Sequence, residues 1–108
     1  PEALIHKLQE AGEGVVDLTA RNLAMSAAMT VHHRANGDED QASGSERVNT
    51  RCTELLRQLE SQRVKERLET LLEAAAHNRG EDVSFLERWG YNADQKAAIH
   101  AAIEAVAD

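Results

Sequence analysis

Residues 45–77, SERVNTRCTELLRQLESQRVKERLETLLEAAAH, hold neither glycine nor proline, and every residue in them tolerates a helix. Val48, Cys52, Leu55, Leu56 and Leu59 recur at helical spacing and form one apolar stripe. Val64, Leu68, Leu71, Leu72 and Ala75 form a second, rotated by about 150° at 100° per residue. Glu60-Ser61-Gln62-Arg63 lies between them. As one helix the segment would be about 50 Å long, against about 35 Å for the diameter of a domain this size. Two readings follow. The chain breaks near Ser61, which caps a second helix, or one helix serves two sets of neighbours, one of them in another chain. The gap lacks a helix breaker, which favours continuity.

The flanking sequence supports an all-α fold: a small bundle of about five helices around a long or kinked central one. The 108 residues, 1–108, suit a single domain, and no apolar–polar alternation marks a strand. A short helix is expected over residues 2–11, with Leu4, Ile5 and Leu8 on one side, ended by Gly12-Glu13-Gly14. A second covers residues 15–33, where Val16, Leu23, Ala27 and Val31 recur and Ala20, Ala24 and Ala28 allow close approach. Residues 34–44, RANGDEDQASG, read as a mobile acidic loop built around Asn36-Gly37. Gly80 is expected to stop the central segment, Asp82 to cap a short helix over residues 83–89, and Gly90 to end it. Asn92 and Gln95 have capping-box spacing before a last helix over residues 93–107.

Net charge is −7, and no aromatic platform accompanies the basic residues, so nucleic acid is not an expected partner. No run approaches the roughly 18 apolar residues of a membrane span; the most apolar stretch, residues 15–31, is interrupted by Asp17, Arg21 and Asn22. The single Cys52 excludes an intramolecular disulfide and leads us to expect a reducing, cytoplasmic setting.

Catalytic patterns are absent from the sequence, and no cofactor is implied. An EF-hand starting at Asn36 would need Gly at Gln41 and Glu at Arg47. A metal or ligand sensor, the alternative function considered, would need His32, His33, His77 or His100 to be gathered by folding. Half of the Lys and Arg residues lie within residues 47–67: Arg47, Arg51, Arg57, Arg63, Lys65 and Arg67. Such a strip is either a set of intrahelical pairs, Glu54 with Arg57 and Glu60 with Arg63, or a docking surface for an acidic partner. Trp89 and Tyr91 seal a helix corner or anchor an interface. The reading favoured is a self-associating protein-interaction module, dimeric, acting as a regulator, adaptor or accessory domain. Its interface would have Arg57, Arg63 and Arg67 as polar contacts, Val64, Leu68 and Leu71 as apolar centre, and Trp89 and Tyr91 as a second contact area.

Overall fold

The computed structural model describes residues 2–107, with the side chains of residues 5–11 outside the description. It contains α1 (Glu2–Ala35), α2 (Glu39–Gln58), α3 (Ser61–His77), α4 (Val83–Trp89) and α5 (Ala93–Ala107), with no strand among the described residues. The all-α helical bundle is thus the observed fold. α1 is the spine: α2, α5 and α3 all pack on it, and α3 also meets α5 and α4. Leu23 and the small residues Ala20, Ala24 and Ala28 are fully buried on α1, so neighbouring backbones approach closely.

Three boundaries differ from the sequence reading. Gly12-Glu13-Gly14 does not end a helix; α1 runs through it for 34 residues. Glycine permits a turn without requiring one, and neither Gly12 nor Gly14 has a positive φ. Of the stripe expected at Leu4, Ile5 and Leu8, the side chains of Ile5 and Leu8 lie outside the described residues.

The acidic loop expected over residues 34–44 narrows to a turn at residues 36–38, with Gly37 at φ 72°. Asp38 caps α2, its carboxylate accepting from the Gln41 N–H at 3.2 Å. Glu39 and Asp40 then stand in the first helical turn, where the helix dipole favours negative charge. Arg34 bridges back to Glu39 and Glu46. What reads as a solvated loop is an acidic helix start.

Residues 45–77 are two helices, not one. Leu59 is extended (φ −82°, ψ 171°), and α3 starts after Glu60. The cap is Glu60 and not Ser61: its carboxylate accepts from the Gln62 and Arg63 N–H groups at 3.0 and 2.9 Å. Those two bonds hold the Glu60 carboxyl below its ordinary range. The break corrects the rotation between the two apolar stripes, so that Leu56 and Leu71 both reach one core.

The later punctuation follows expectation with two differences, one being that Asp82 stands at the N-cap of α4 without a side-chain cap bond. α3 ends at Asn78, which takes the left-handed conformation two residues before Gly80, and Gly80 is itself left-handed in the turn beyond. Gly90 closes α4 at φ 64°. Asn92 and Gln95 form a reciprocal capping box at 2.9 Å in both directions. The Gln95 amide also donates to the Ala28 carbonyl at 3.1 Å, pinning the start of α5 to α1.

Candidate functional site

The break between α2 and α3 opens an apolar groove of about 460 Å3. Leu56 and Leu59 form one end of it, contributed by the last turn of α2 and the extended residue after it. Val64, Leu68 and Leu72 follow at four-residue steps along one face of α3. Ile103 and Val106, from the last two turns of α5, close the other wall. Ser61, Arg57, Lys65 and Glu69 stand on the rim.

Arg57 shapes that rim by an unexpected contact. Its guanidinium donates to the backbone carbonyls of Ala105 and Val106, the latter at 3.2 Å. These carbonyls belong to the last turn of α5, which has no basic residue of its own. A cation there satisfies orphan acceptors and opposes the negative end of the helix dipole. Arg57 is therefore bonded to α5, a role different from the Glu54 pairing weighed for it.

Arg67 is a structural tie. Both of its terminal nitrogens reach the Asp82 carboxylate, one at 2.9 Å, and its Nε donates to Asp17 at 2.9 Å. Its side chain is 16% exposed and that of Asp82 5%. Burial works to lower the Arg67 pKa, but the hydrogen bonds and charges of Asp82 and Asp17 outweigh it and raise it. Asp82 makes no side-chain cap bond to α4, because its carboxylate faces Arg67. The ion pairs thus join α1, α3 and the α3–α4 connection.

The other candidates separate. Val64 and Leu68 are buried and line the groove, whereas Leu71 is fully buried in the core beneath it. Arg63 stands on the opposite side of α3, where with Glu13, Val16, Glu66, Arg67 and Thr70 it lines a shallower cleft of about 270 Å3. Tyr91 is buried, and burial pushes its phenol pKa up. It belongs to the core cluster, while Trp89 is left 54% exposed. Cys52 is buried as a small hydrophobe, and burial raises its thiol pKa.

Among the described residues the histidines stand apart, save for one adjacent pair. His32 and His33 meet edge to face, with centroids 5.4 Å apart; His32 also contacts Asn36. His77 lies in the last turn of α3 and His100 pairs with Glu104 on α5. Among the described residues no three His, Cys, Asp or Glu side chains are arranged to hold a metal ion. No helix among them is long and apolar enough to cross a membrane.

Sequence reasoning found Val64 and Leu68 of the groove but not Leu56, Leu59, Leu72, Ile103 and Val106 as their partners. The phase shift near Ser61 was the available signal. It showed that the two halves face different ways, but not that α5 would stand against both.

Fold and groove together define a small all-α bundle with an aliphatic cleft open beside its core. Residues 1–106 match the model of the family described as uncharacterised conserved protein UCP020893, and the chain belongs to that family. No curated protein and no solved structure matches it.

Proposed function

We propose that this chain is a helical protein-interaction module, acting as a regulator, adaptor or accessory domain in the cytoplasm. Its docking surface is the groove between the end of α2, α3 and the end of α5. The observation that supports this most directly is that seven aliphatic side chains, from Leu56 to Val106, wall about 460 Å3 of open space. A helix partner presents apolar side chains at positions i, i+3, i+4 and i+7, which suits a wall built at four-residue steps.

Charge narrows the partner to one with carboxylates beside its apolar stripe. Arg57 and Lys65 lie on the rim against the single Glu69, in a chain of net charge −7. Complementary charge of this kind favours encounter and orientation more than raw affinity.

The test is fluorescence anisotropy with a labelled peptide bearing Leu at i, i+3, i+4 and i+7 and flanking Glu residues. Saturable binding is expected, lost in Leu72→Gln and weakened in Lys65→Glu. Leu72 is half-buried, so its polar replacement alters the groove more than the core. A Lys-flanked peptide of the same stripe should bind more weakly. The volume also lies within the range of small-ligand pockets, which favours ligand binding as the second reading. If a fatty acid binds and neither peptide does, that reading replaces the first. If nothing binds, both are wrong.

A further inference from the structure

We propose that α1 pairs with α1 of a second copy of this chain as a parallel two-stranded coiled coil over residues 4–22. This surface shares no residue with the groove.

Helix continuity through Gly12 and Gly14 carries the argument, because it places both halves of α1 in one register. Leu4, Leu8, Ala11, Val15, Leu18 and Asn22 then follow at steps of four, three, four, three and four residues. That alternation is the a/d repeat of a left-handed coiled coil. Leu8, Val15 and Asn22 take a positions, and Leu4, Ala11 and Leu18 take d positions.

The bundle uses the rest of the helix, up to the flanks of the seam, where Thr19 at e is buried and Arg21 at g lies over the Phe85 ring. Val16, Ala20, Leu23 and Ala27 are buried and occupy b and f positions of the same register. Asp17 and Glu13, which face α3, are at c and f. Along the seam, Leu4 and Leu18 are each 61% exposed and Val15 is 43% exposed. These are large aliphatic side chains in regular order on a helix of about 51 Å, in a molecule measuring 53 × 29 × 25 Å. Beyond Asn22 the seam closes: Met25 and Met29 are half-buried and Ser26 and Ala28 are covered by the bundle.

Asn22 identifies the occupant as another copy. A β-branched residue at a with Leu at d favours two parallel strands, and a single Asn at a fixes register and strand number. In a parallel, in-register pair the two Asn22 amides meet each other across the axis. An antiparallel pair centred on the same segment sets Asn22 against Leu4 and leaves the amide facing an aliphatic chain.

The interface is small. A helix about 28 Å long and about 11 Å across, covered over a third of its circumference, buries on the order of 300–400 Å2 per copy. A standard interface buries about 800 Å2 per partner. The dimer is therefore reversible, and its detection depends on concentration.

Sedimentation velocity of the full chain from ~1 μM to ~1 mM tests this. The expected result is a concentration-dependent monomer–dimer equilibrium. Leu18→Glu should raise the dimer Kd by ~100-fold or more while far-UV circular dichroism of the dilute protein stays unchanged, because Leu18 faces solvent in the monomer. Val48→Glu, an exposed aliphatic on α2, should leave the equilibrium alone. In a Cys52→Ser background, Asn22→Cys should oxidise to a covalent dimer, since parallel pairing brings the two chains within disulfide reach. A strict monomer throughout, or a dimer indifferent to Leu18→Glu, overturns the proposal. A dimer that Asn22→Cys does not cross-link overturns the parallel arrangement. Dissociation by Leu72→Gln instead places the contact in the groove. Peptide binding by Leu18→Glu should persist, so the seam and the groove fail or stand separately.

Discussion

Replacing Gly14 with Ala tests the feature on which the length of α1 rests. A Cβ built at Gly14 meets no atom within 4 Å, and its φ is not positive. No clash or strain opposes the substitution. Alanine is better than glycine by ~0.8–1 kcal/mol in a helix interior, chiefly because glycine loses more backbone entropy on folding. Gly14→Ala should therefore stabilise by about 0.5–1 kcal/mol, allowing for its place near the edge of the packed region. At this size that is a rise of roughly 2–8 °C in Tm. The contrast is Gly90→Ala, where φ is 64° and alanine is forced into the left-handed region at a cost of ~1–2 kcal/mol. Urea denaturation followed by far-UV circular dichroism measures both, at a concentration too low for α1 pairing to contribute. Opposite signs are expected. If Gly14→Ala destabilises as Gly90→Ala does, residues 12–14 are a turn, α1 is two helices, and the a/d register across it is lost.

Two further tests address the joints. Arg67→Met should cost ~3–5 kcal/mol in chemical denaturation, because it strands the buried Asp82 carboxylate; adding Asp82→Leu should recover much of that loss, and a double variant no better than the single would refute the tie. Glu60 titrates below its ordinary value of 4.5 in the folded chain, so its stabilisation is full above that pH and is lost as pH falls through the depressed folded value. The stability gap between wild type and Glu60→Gln should accordingly be present at neutral pH and close on acidification; a gap independent of pH would show that the cap bonds do not matter.

Helical propensity and punctuation were legible where the signal is local. The Asn92–Gln95 box, the Gly90 stop and the burial of Cys52 each depend on a few neighbouring residues. The three misplaced boundaries share a cause: the same residues are compatible with turn and helix, and distant packing decides between them. Asp38, Glu39 and Asp40 look like a solvated loop until Arg34 and Glu46 show that the helices on both sides are tied across it. Glu60 is a poor cap on sequence preference, yet the phase mismatch of the stripes requires a break there. Site residues were harder still. Arg67 stands out in the sequence by its charge, but its partners Asp17 and Asp82 are 50 and 15 residues away, and no spacing rule reaches them. Leu71 stands out by its place on a stripe, and a stripe gives the direction of a face without saying which chain covers it.

The two open apolar surfaces have a joint consequence. The groove is built from α2, α3 and α5, and the seam is the face of α1 turned away from α3. A pair formed through α1 would leave both grooves open and carry them as a fixed set of two. A partner with two apolar helices, or itself a dimer, would then engage both, and its second contact would be intramolecular, with an effective concentration set by the spacing of the grooves. This arrangement suits an adaptor better than a sink for one small ligand, because a weak, reversible α1 pair makes affinity for bivalent partners depend on the chain's own concentration. Monovalent partners would be bound at low and high concentration alike, and bivalent ones held tightly only where the chain is abundant enough to pair. Self-association and partner binding, expected at the outset of one segment, are in this reading two separate surfaces whose product is the regulatory behaviour.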